Sequence, residues 1–303
     1  MTQGFLRPTR ERGNGGISAR QRGPIINIAY RGDGRDRPRG VILPPAHVPV
    51  LRGFRLRKSW RYVGIWSESV SVCAARVSVG PVSQEFWGVW DRDPRRLTEH
   101  TRLRAGRVDL SAGRIVVRDR GNLLDVTLDE DPTAAFEVVT PVGRGWTWTR
   151  KLAIRAHGTA RANGVVLPID GVAMIDENDG YHPRFTHWWW SGGTSVVADG
   201  RAATWSVIVG LNDTLPYIEN TLWIDGVPQQ IGPVTFAPDL SQVTFSDGNV
   251  LHFTEESERA SLVDLFVIRS AYRQPFGTFT GTLPGGLAVT RGYGVMEDHR
   301  ALW

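Results

Sequence analysis

The stretch Asp179-Gly-Tyr-His-Pro-Arg-Phe-Thr-His-Trp-Trp-Trp-Ser-Gly-Gly193 gathers a cation, two imidazoles and three consecutive indoles. On a β-strand alternate residues share a face. His182, Arg184, Thr186, Trp188 and Trp190 then point one way, and Tyr181, Phe185, His187 and Trp189 the other. The first face offers donors, a fixed cation and two indoles, which is what a barrel lumen needs to hold a flat or lipophilic ligand and orient it. A structural Trp cluster closing a barrel end, with Arg184 stacked on an indole, explains the same residues.

The chain end, Gly292-Tyr-Gly-Val-Met-Glu-Asp-His-Arg-Ala-Leu-Trp303, puts Glu297 and His299 on one strand face. A carboxylate beside an imidazole fixes its tautomer and raises its basicity, as a general base requires. The same pair is also a common structural hydrogen bond. In Glu219-Asn-Thr-Leu-Trp-Ile-Asp-Gly226, Glu219, Thr221, Trp223 and Asp225 alternate onto one side, although Asp225-Gly226 reads first as a hairpin turn. Trp87 shares a face with Val89 and Asp91, more as core than as ligand site. The candidates are therefore His182, Glu297 and His299 for acid–base work. Arg184, Thr186, Trp188, Trp190, Trp223 and Trp87 are the candidates for holding a ligand.

Several chemistries are set aside. There is no HExxH, no P-loop and no GxSxG elbow. His182 and His187 face opposite ways on a strand, so that pair alone makes no metal site; His182 with Glu297 and His299 is the remaining combination. Cys73 is the single cysteine, which excludes an internal disulfide and CxxC motifs and reads as a buried small hydrophobe. No cofactor is expected.

The elements that must carry these residues are strands. From about Trp60 the apolar pattern has period two: Val70, Val72, Ala74; Arg114 to Val117; Leu123 to Leu128; Val207 to Val209; Leu222 to Ile224; Leu251 to Phe253; Leu262 to Ile268. Turn signals bound these runs, among them Arg120-Gly121-Asn122, Asp225-Gly226 and Asp247-Gly248-Asn249. A short helix is the most that Arg95 to Arg104 suggests, and a single turn the most for Glu255 to Ala260. Regular short strands with such turns predict a sandwich or barrel, and the length suits two barrel-like units. The boundary is placed loosely at Ala160 to Val165.

The calculated pI near 9.8 comes from the leading segment. Residues 1–40 hold nine arginines against three acids, a net of +6, which leaves about −1 for the rest of a chain whose total is +5. That segment is Arg- and Gly-rich and aperiodic, with only Pro24 to Tyr30 looking ordered, and is expected to be a disordered extension. Nucleic acid is not an expected partner except through it. Arginine outnumbers lysine 34 to 2, a skew that a GC-rich genome explains. With no apolar h-region at the start and no long uninterrupted apolar run, the expectation is a cytoplasmic protein without a membrane span. Nothing in the sequence sets an oligomeric state.

The chain resembles the bacterial DUF2804 family, whose function is unknown. The resemblance rests on Trp60-Arg-Tyr-Val-Gly-Ile-Trp66, Phe86-Trp-Gly-Val-Trp-Asp91, Trp148-Thr-Arg-Lys151 and Gly180-Tyr-His-Pro-Arg-Phe-Thr-His-Trp-Trp-Trp-Ser191. It continues through Gly210-Leu-Asn-Asp213, Leu222-Trp-Ile-Asp-Gly226, Phe276-Gly-Thr-Phe-Thr-Gly-Thr-Leu283 and Gly294-Val-Met-Glu-Asp-His299, and spans roughly residues 41–303. The chain departs from the family pattern at His187 and Trp189, where polar residues are usual, and at Asp298, where His is expected. The family is distantly similar to two-domain lipocalin-like proteins that include carotenoid hydratases and some Diels–Alderases. That kinship implies an all-β chain of two lipocalin-like, calycin-type antiparallel barrel or half-barrel units side by side, residues 41–162 and 163–303, with a cavity in or between them. It also implies a hydrophobic small molecule as partner, and a reaction that positions or protonates it without metal or nucleotide. No catalytic residue carries over position by position. A hydratase, isomerase or cyclase and a non-catalytic carrier of a lipophilic ligand both fit.

Overall fold

Period-two runs broken by Asp-Gly and Asn-Gly pairs fold as consecutive hairpins in the computed structural model of the chain. The structure describes residues 29–131, 135–213, 215–265 and 268–303. Among these the regular elements are strands, with no helix, and hence no helix long and apolar enough to cross a membrane. In order they are β1 (Tyr30–Gly32), β2 (Leu51–Arg52), β3 (Arg55–Leu56), β4 (Lys58–Trp66), β5 (Val70–Val79), β6 (Val82–Asp91), β7 (Arg96–Arg102), β8 (Val108–Ser111), β9 (Arg114–Asp119), β10 (Asn122–Leu128) and β11 (Phe136–Val142). Then come β12 (Gly145–Ala162), β13 (Val165–Gly180), β14 (Phe185–Val196), β15 (Ala202–Val209), β16 (Thr221–Ile224), β17 (Val227–Gln230), β18 (Val234–Phe236), β19 (Gln242–Phe245), β20 (Val250–Leu265), β21 (Ile268–Leu283) and β22 (Leu287–Leu302).

The first sheet runs β7-β6-β5-β4-β13-β12-β10-β9-β8, with β11 also pairing β12 and β1 pairing β11. β12 pairs β13 along its whole length, while its other edge is shared by β11 and β10. The second sheet runs β17-β16-β15-β14-β22-β21-β20-β19-β18. The expected hairpin turn at Asp225-Gly226 forms, with φ 49° and 81°, and Asn163-Gly164 makes another of the same kind, with φ 51° and 82°. Two successive positive φ values match the right-handed twist of the flanking strands.

Each sheet curls over its own apolar core. In the first, Val63, Ile65, Val72, Trp87, Ile115, Val126 and Ile175 meet inside. In the second, Trp205, Leu222, Val243, Phe253, Phe279 and Met296 do so. The opposite faces of the same strands form a third core between the sheets: Tyr62, Trp66, Cys73 and Trp90 from one, Trp188, Trp190, Phe276, Val295 and Trp303 from the other. The expected pair of half-barrel units is thus present, and Cys73 is buried between them.

Three expectations need correction. The turn at Asn163-Gly164 is not a boundary between units but the tip of a hairpin inside the first sheet; the chain changes sheet between Gly180 and Phe185. The expected helical segments are extended: β7 pairs β6 and packs Leu97 on the inter-sheet core, and Glu255 to Ala260 lie in β20 with a bulge between Glu255 and Ser257. Within the leading segment, residues 1–28 lie outside the described residues, but Tyr30–Gly32 forms a strand on β11 and Arg37 is ion-paired to Glu137.

Close approach of the two sheets needs glycine at one point. A Cβ on Gly192 would sit 2.8 Å from the Trp66 ring of the opposite sheet and 2.7 Å from Trp190. Overpacking such a contact costs about 1–3 kcal/mol. Gly192→Val is expected to lower the urea midpoint accordingly; an unchanged midpoint would mean that the sheets do not meet there.

Candidate functional site

The third core is not filled. Between the sheets lies a cavity of about 120 Å³ walled by Trp60, Phe86, Trp188, Trp190, Tyr272 and Trp303 with aliphatic neighbours. One water needs only ~10–15 Å³, so the space suits a small molecule. The parity of the strands puts it there. Residues 60 and 62 on β4 and residues 188, 190, 297 and 299 on β14 and β22 point at the opposite sheet. Their odd or even neighbours Val63, Ile65 and Met296 point into the two barrel cores.

Of the carboxyls on this wall, Glu297 stands among the rings. Its Oε1 accepts from Trp188 Nε1 at 2.8 Å and its Oε2 from Gln274 Nε2 at 3.1 Å. Burial raises it to about 7, against the pull of the Trp188 hydrogen bond. It therefore exchanges its proton near neutrality, as a general acid or base must.

The sequence suggests that this carboxylate makes His299 basic, and the structure corrects that. His299 Nδ1 is 3.9 Å from Glu297 Oε1, too far for a hydrogen bond, while its Nε2 contacts Ser270 Oγ at 2.8 Å. Its ring lies 4.2 Å from that of Trp188, and burial lowers it to about 3. His299 is a neutral imidazole on the wall. His182 is also buried and lowered to about 3 by burial and then by Lys58. Its Nε2 meets Asn178 Oδ1 at 2.7 Å and its ring stacks 5.2 Å behind Trp60, so it sits behind the wall rather than on it. Both histidines stabilise the fold above the ordinary imidazole value, and that contribution is lost as pH falls toward 3.

The ligand candidates divide. Trp188 and Trp190 line the cavity, and Trp190 Nε1 donates to Ser206 Oγ at 3.0 Å. The other four do not line it. β14 begins only at Phe185, after Pro183, so strand parity does not extend back to Arg184, which is exposed. Thr186 is buried but does not line the cavity. Trp223 packs against Phe136 with centroids 5.6 Å apart. Trp87 faces the first barrel core and donates to Asp119 at 3.1 Å; its neighbour Phe86 is the residue on the wall. Trp189, on the opposite face, packs partly on the second barrel core.

One cluster escapes a motif search. Lys151, fully buried, lies 2.7 Å from Glu219 Oε1 and 3.1 Å from Asp176 Oδ2, and both carboxylates line the cavity. Burial opposes the ammonium, but the two carboxylates outweigh it and hold Lys151 above its ordinary value. Arg31 of β1 lies in the field of Glu219, its Nη2 donating to Thr221 Oγ1 at 2.9 Å and its guanidinium 4.2 Å over Phe136. The signal was the lysine count. Only Lys58 and Lys151 survive in an arginine-rich chain, and both are buried beside this cavity, Lys58 donating to the His182 carbonyl at 2.9 Å. A compact ammonium fits where a guanidinium fork does not.

The profile of a family described as "Domain of unknown function (DUF2804)" matches residues 98–303. No curated protein matches. Among solved structures, kievitone hydratase from Nectria haematococca aligns at TM-score 0.51 and 12% identity, over 80% of this chain and 88% of that one. An AttH-designated protein from Nitrosomonas europaea aligns at TM-score 0.47 and 16% identity, over 85% of this chain and 98% of that one. The likeness to the hydratase is one of fold, the lipocalin-like pair of units. With its profile match running from β7 to the last residue, Trp303, the chain belongs to the DUF2804 family.

Proposed function

We propose that this protein is an enzyme that transfers a proton to a lipophilic small molecule held between its two sheets, as a hydratase, isomerase or cyclase does. The observation that carries the reading is Glu297: a buried carboxyl on the wall of an apolar cavity, raised by burial to about 7. A purely structural carboxylate in that position would gain from being ionised and paired with a cation. Glu297 is instead held by neutral donors, Trp188 Nε1 and Gln274 Nε2, with the Tyr272 hydroxyl acting in the same sense.

These donors suit the acid's conjugate base. When the Glu297 carboxylic acid gives its proton to a carbon of a ligand double bond, the resulting carboxylate keeps both hydrogen bonds. The ligand cation then takes up water, whose excess proton returns to Glu297, or loses a neighbouring proton to the same carboxylate. The first outcome is a hydration and the second an isomerisation. Trp60, Trp188 and Trp303 stack around the site with centroids 6.1 Å apart and can face such a cation with their π-systems. Kievitone hydratase, which shares the fold, is named for a hydration, so the architecture accommodates that class in another protein; no residue is carried over from it.

A carrier would share the same walls, and turnover separates the two. Lipophilic extract from the source cells, incubated with the protein in deuterated water, is expected to yield one compound with carbon-bound deuterium. Glu297→Gln is expected to cut that incorporation by about 10²–10⁴-fold. Compounds that the protein retains but returns unlabelled and unchanged would instead favour the carrier.

The same carboxyl gives a stability signature. Its folded value lies above its unfolded one, so its contribution is present below about 4.5 and is lost as pH rises through about 7. Glu297→Gln is therefore expected to gain stability over the wild type as pH rises from 5 to 9, by up to roughly 3 kcal/mol in chemical denaturation. A difference that does not change with pH would contradict the burial of an ionising carboxyl.

A further inference from the structure

Arg259 belongs to β20 of the second sheet, yet its side chain reaches the first. Its Nε lies 2.6 Å from Glu99 Oε2 and its Nη2 donates to Thr101 Oγ1 at 3.2 Å, both on β7. It passes over Gly88 of β6, where a Cβ would meet its Cδ at 2.8 Å. Its guanidinium lies 4.3 Å from the Phe86 ring centroid and 5.7 Å from that of Tyr272. Two donors remain unused. Arg259 Nη1 and the Tyr272 hydroxyl are buried and have no hydrogen-bond partner among the described residues. Both side chains line the cavity.

The charge is as poorly answered as the donors. Glu99 balances Arg259 from the rim, its side chain 34% exposed against 1% for the arginine, so solvent screens the acid and not the cation. The other acids that feel the guanidinium are Tyr62, Tyr272 and Cys73, and burial raises all three, keeping them neutral. Tyr272 lies within the fields of both Arg259 and Glu297, and its hydroxyl acts on Glu297 in the same sense as the Trp188 donor.

We propose that Arg259 and Tyr272 form an anion-anchoring pole of the cavity, and that its ligand is a lipophilic molecule carrying an acidic oxygen group, a carboxylate or phenolate. This rests on the reading of the cavity as a ligand site and adds the substrate class. The acidic oxygen takes the idle N–H and O–H while the apolar body fills the indole-lined space toward Glu297. A charge-assisted hydrogen bond in a dry site is stronger than its counterpart in water.

The test compares two probes of one skeleton: 8-anilinonaphthalene-1-sulfonate, which is anionic, and N-phenyl-1-naphthylamine, which is neutral. Binding is followed by fluorescence in high salt, which screens the exposed arginines. The intact protein is expected to bind the anionic probe about tenfold tighter or more. Arg259→Met should abolish that preference, and Tyr272→Phe should narrow it about threefold, the preference being read as the ratio of the two affinities within each variant. Tyr272→Phe removes one hydroxyl and keeps the ring, so it decides the matter if the arginine variant does not fold. Equal binding of the two probes, or a preference that survives both substitutions, overturns the anchor while leaving the apolar cavity intact. Failure of both probes to bind overturns the anchor and the ligand-site reading together.

Discussion

Alternation along the strand is the constraint on which the rest of this structure depends. A β-strand has two faces, and in a single barrel one of them meets water. Here the central strands of both sheets bury both. β4 sends Val63 and Ile65 into the first barrel and Trp60 and Tyr62 toward the second sheet. β22 sends Met296 into the second barrel and Val295 toward the first sheet. The cavity follows from this doubling. Large rings that complete two separate cores cannot also interdigitate perfectly across a third, and the space left over is walled by Trp, Tyr and Phe from both sides.

An apolar layer of this kind makes each polar group in it costly and therefore informative. Lys151 pairs with Asp176 and Glu219 while Arg31 feels Glu219 from nearby, and this cluster, whose side chains span both sheets, reads as the device that fixes how one sits on the other. Its members come from β12, β13, the segment before β16, and β1. Glu297 is different. Among the described residues it has hydrogen-bond donors but no cation paired with it, Lys151 acting on it only from a distance, and burial accordingly moves it toward neutrality. A paired network that holds the sheets and an unpaired carboxyl on the wall divide the same layer between structure and chemistry.

Much of the architecture was legible because it is local. Asp225-Gly226 and its counterparts mark hairpins through backbone sterics alone, and alternation from Trp60 onward identifies strands. The choice between the faces of a strand is not local. Trp87 and Phe86 are adjacent aromatics on β6, and only the curl of the sheet decides which enters the barrel and which the cavity. Alternation makes His182 and Arg184 continuous with the Trp188 face, but Pro183 precedes the strand, which starts at Phe185, and breaks that parity. Alternation pairs Trp188 with Trp190 and Glu297 with His299, but that the two pairs share one wall follows from the register of β14 on β22, Trp188 with His299 and Trp190 with Glu297, which no local window contains. Their relation was misjudged, because sequence spacing carries no information about how deeply a pair is buried. The helical reading of Arg95 to Arg104 failed for a related reason: its backbone is satisfied by β6, a partner that a local window does not contain.

The central claim is that a carboxyl on this cavity wall holds its proton near neutral pH. Carbon-13 labelling of the glutamate side-chain carboxyls, followed by a pH titration of wild type against Glu297→Gln, reads that directly. The account predicts one carboxyl resonance that titrates near 7, is absent from the variant and moves when the cavity is occupied. A wild type in which every glutamate titrates in the ordinary range near 4.5 would contradict it.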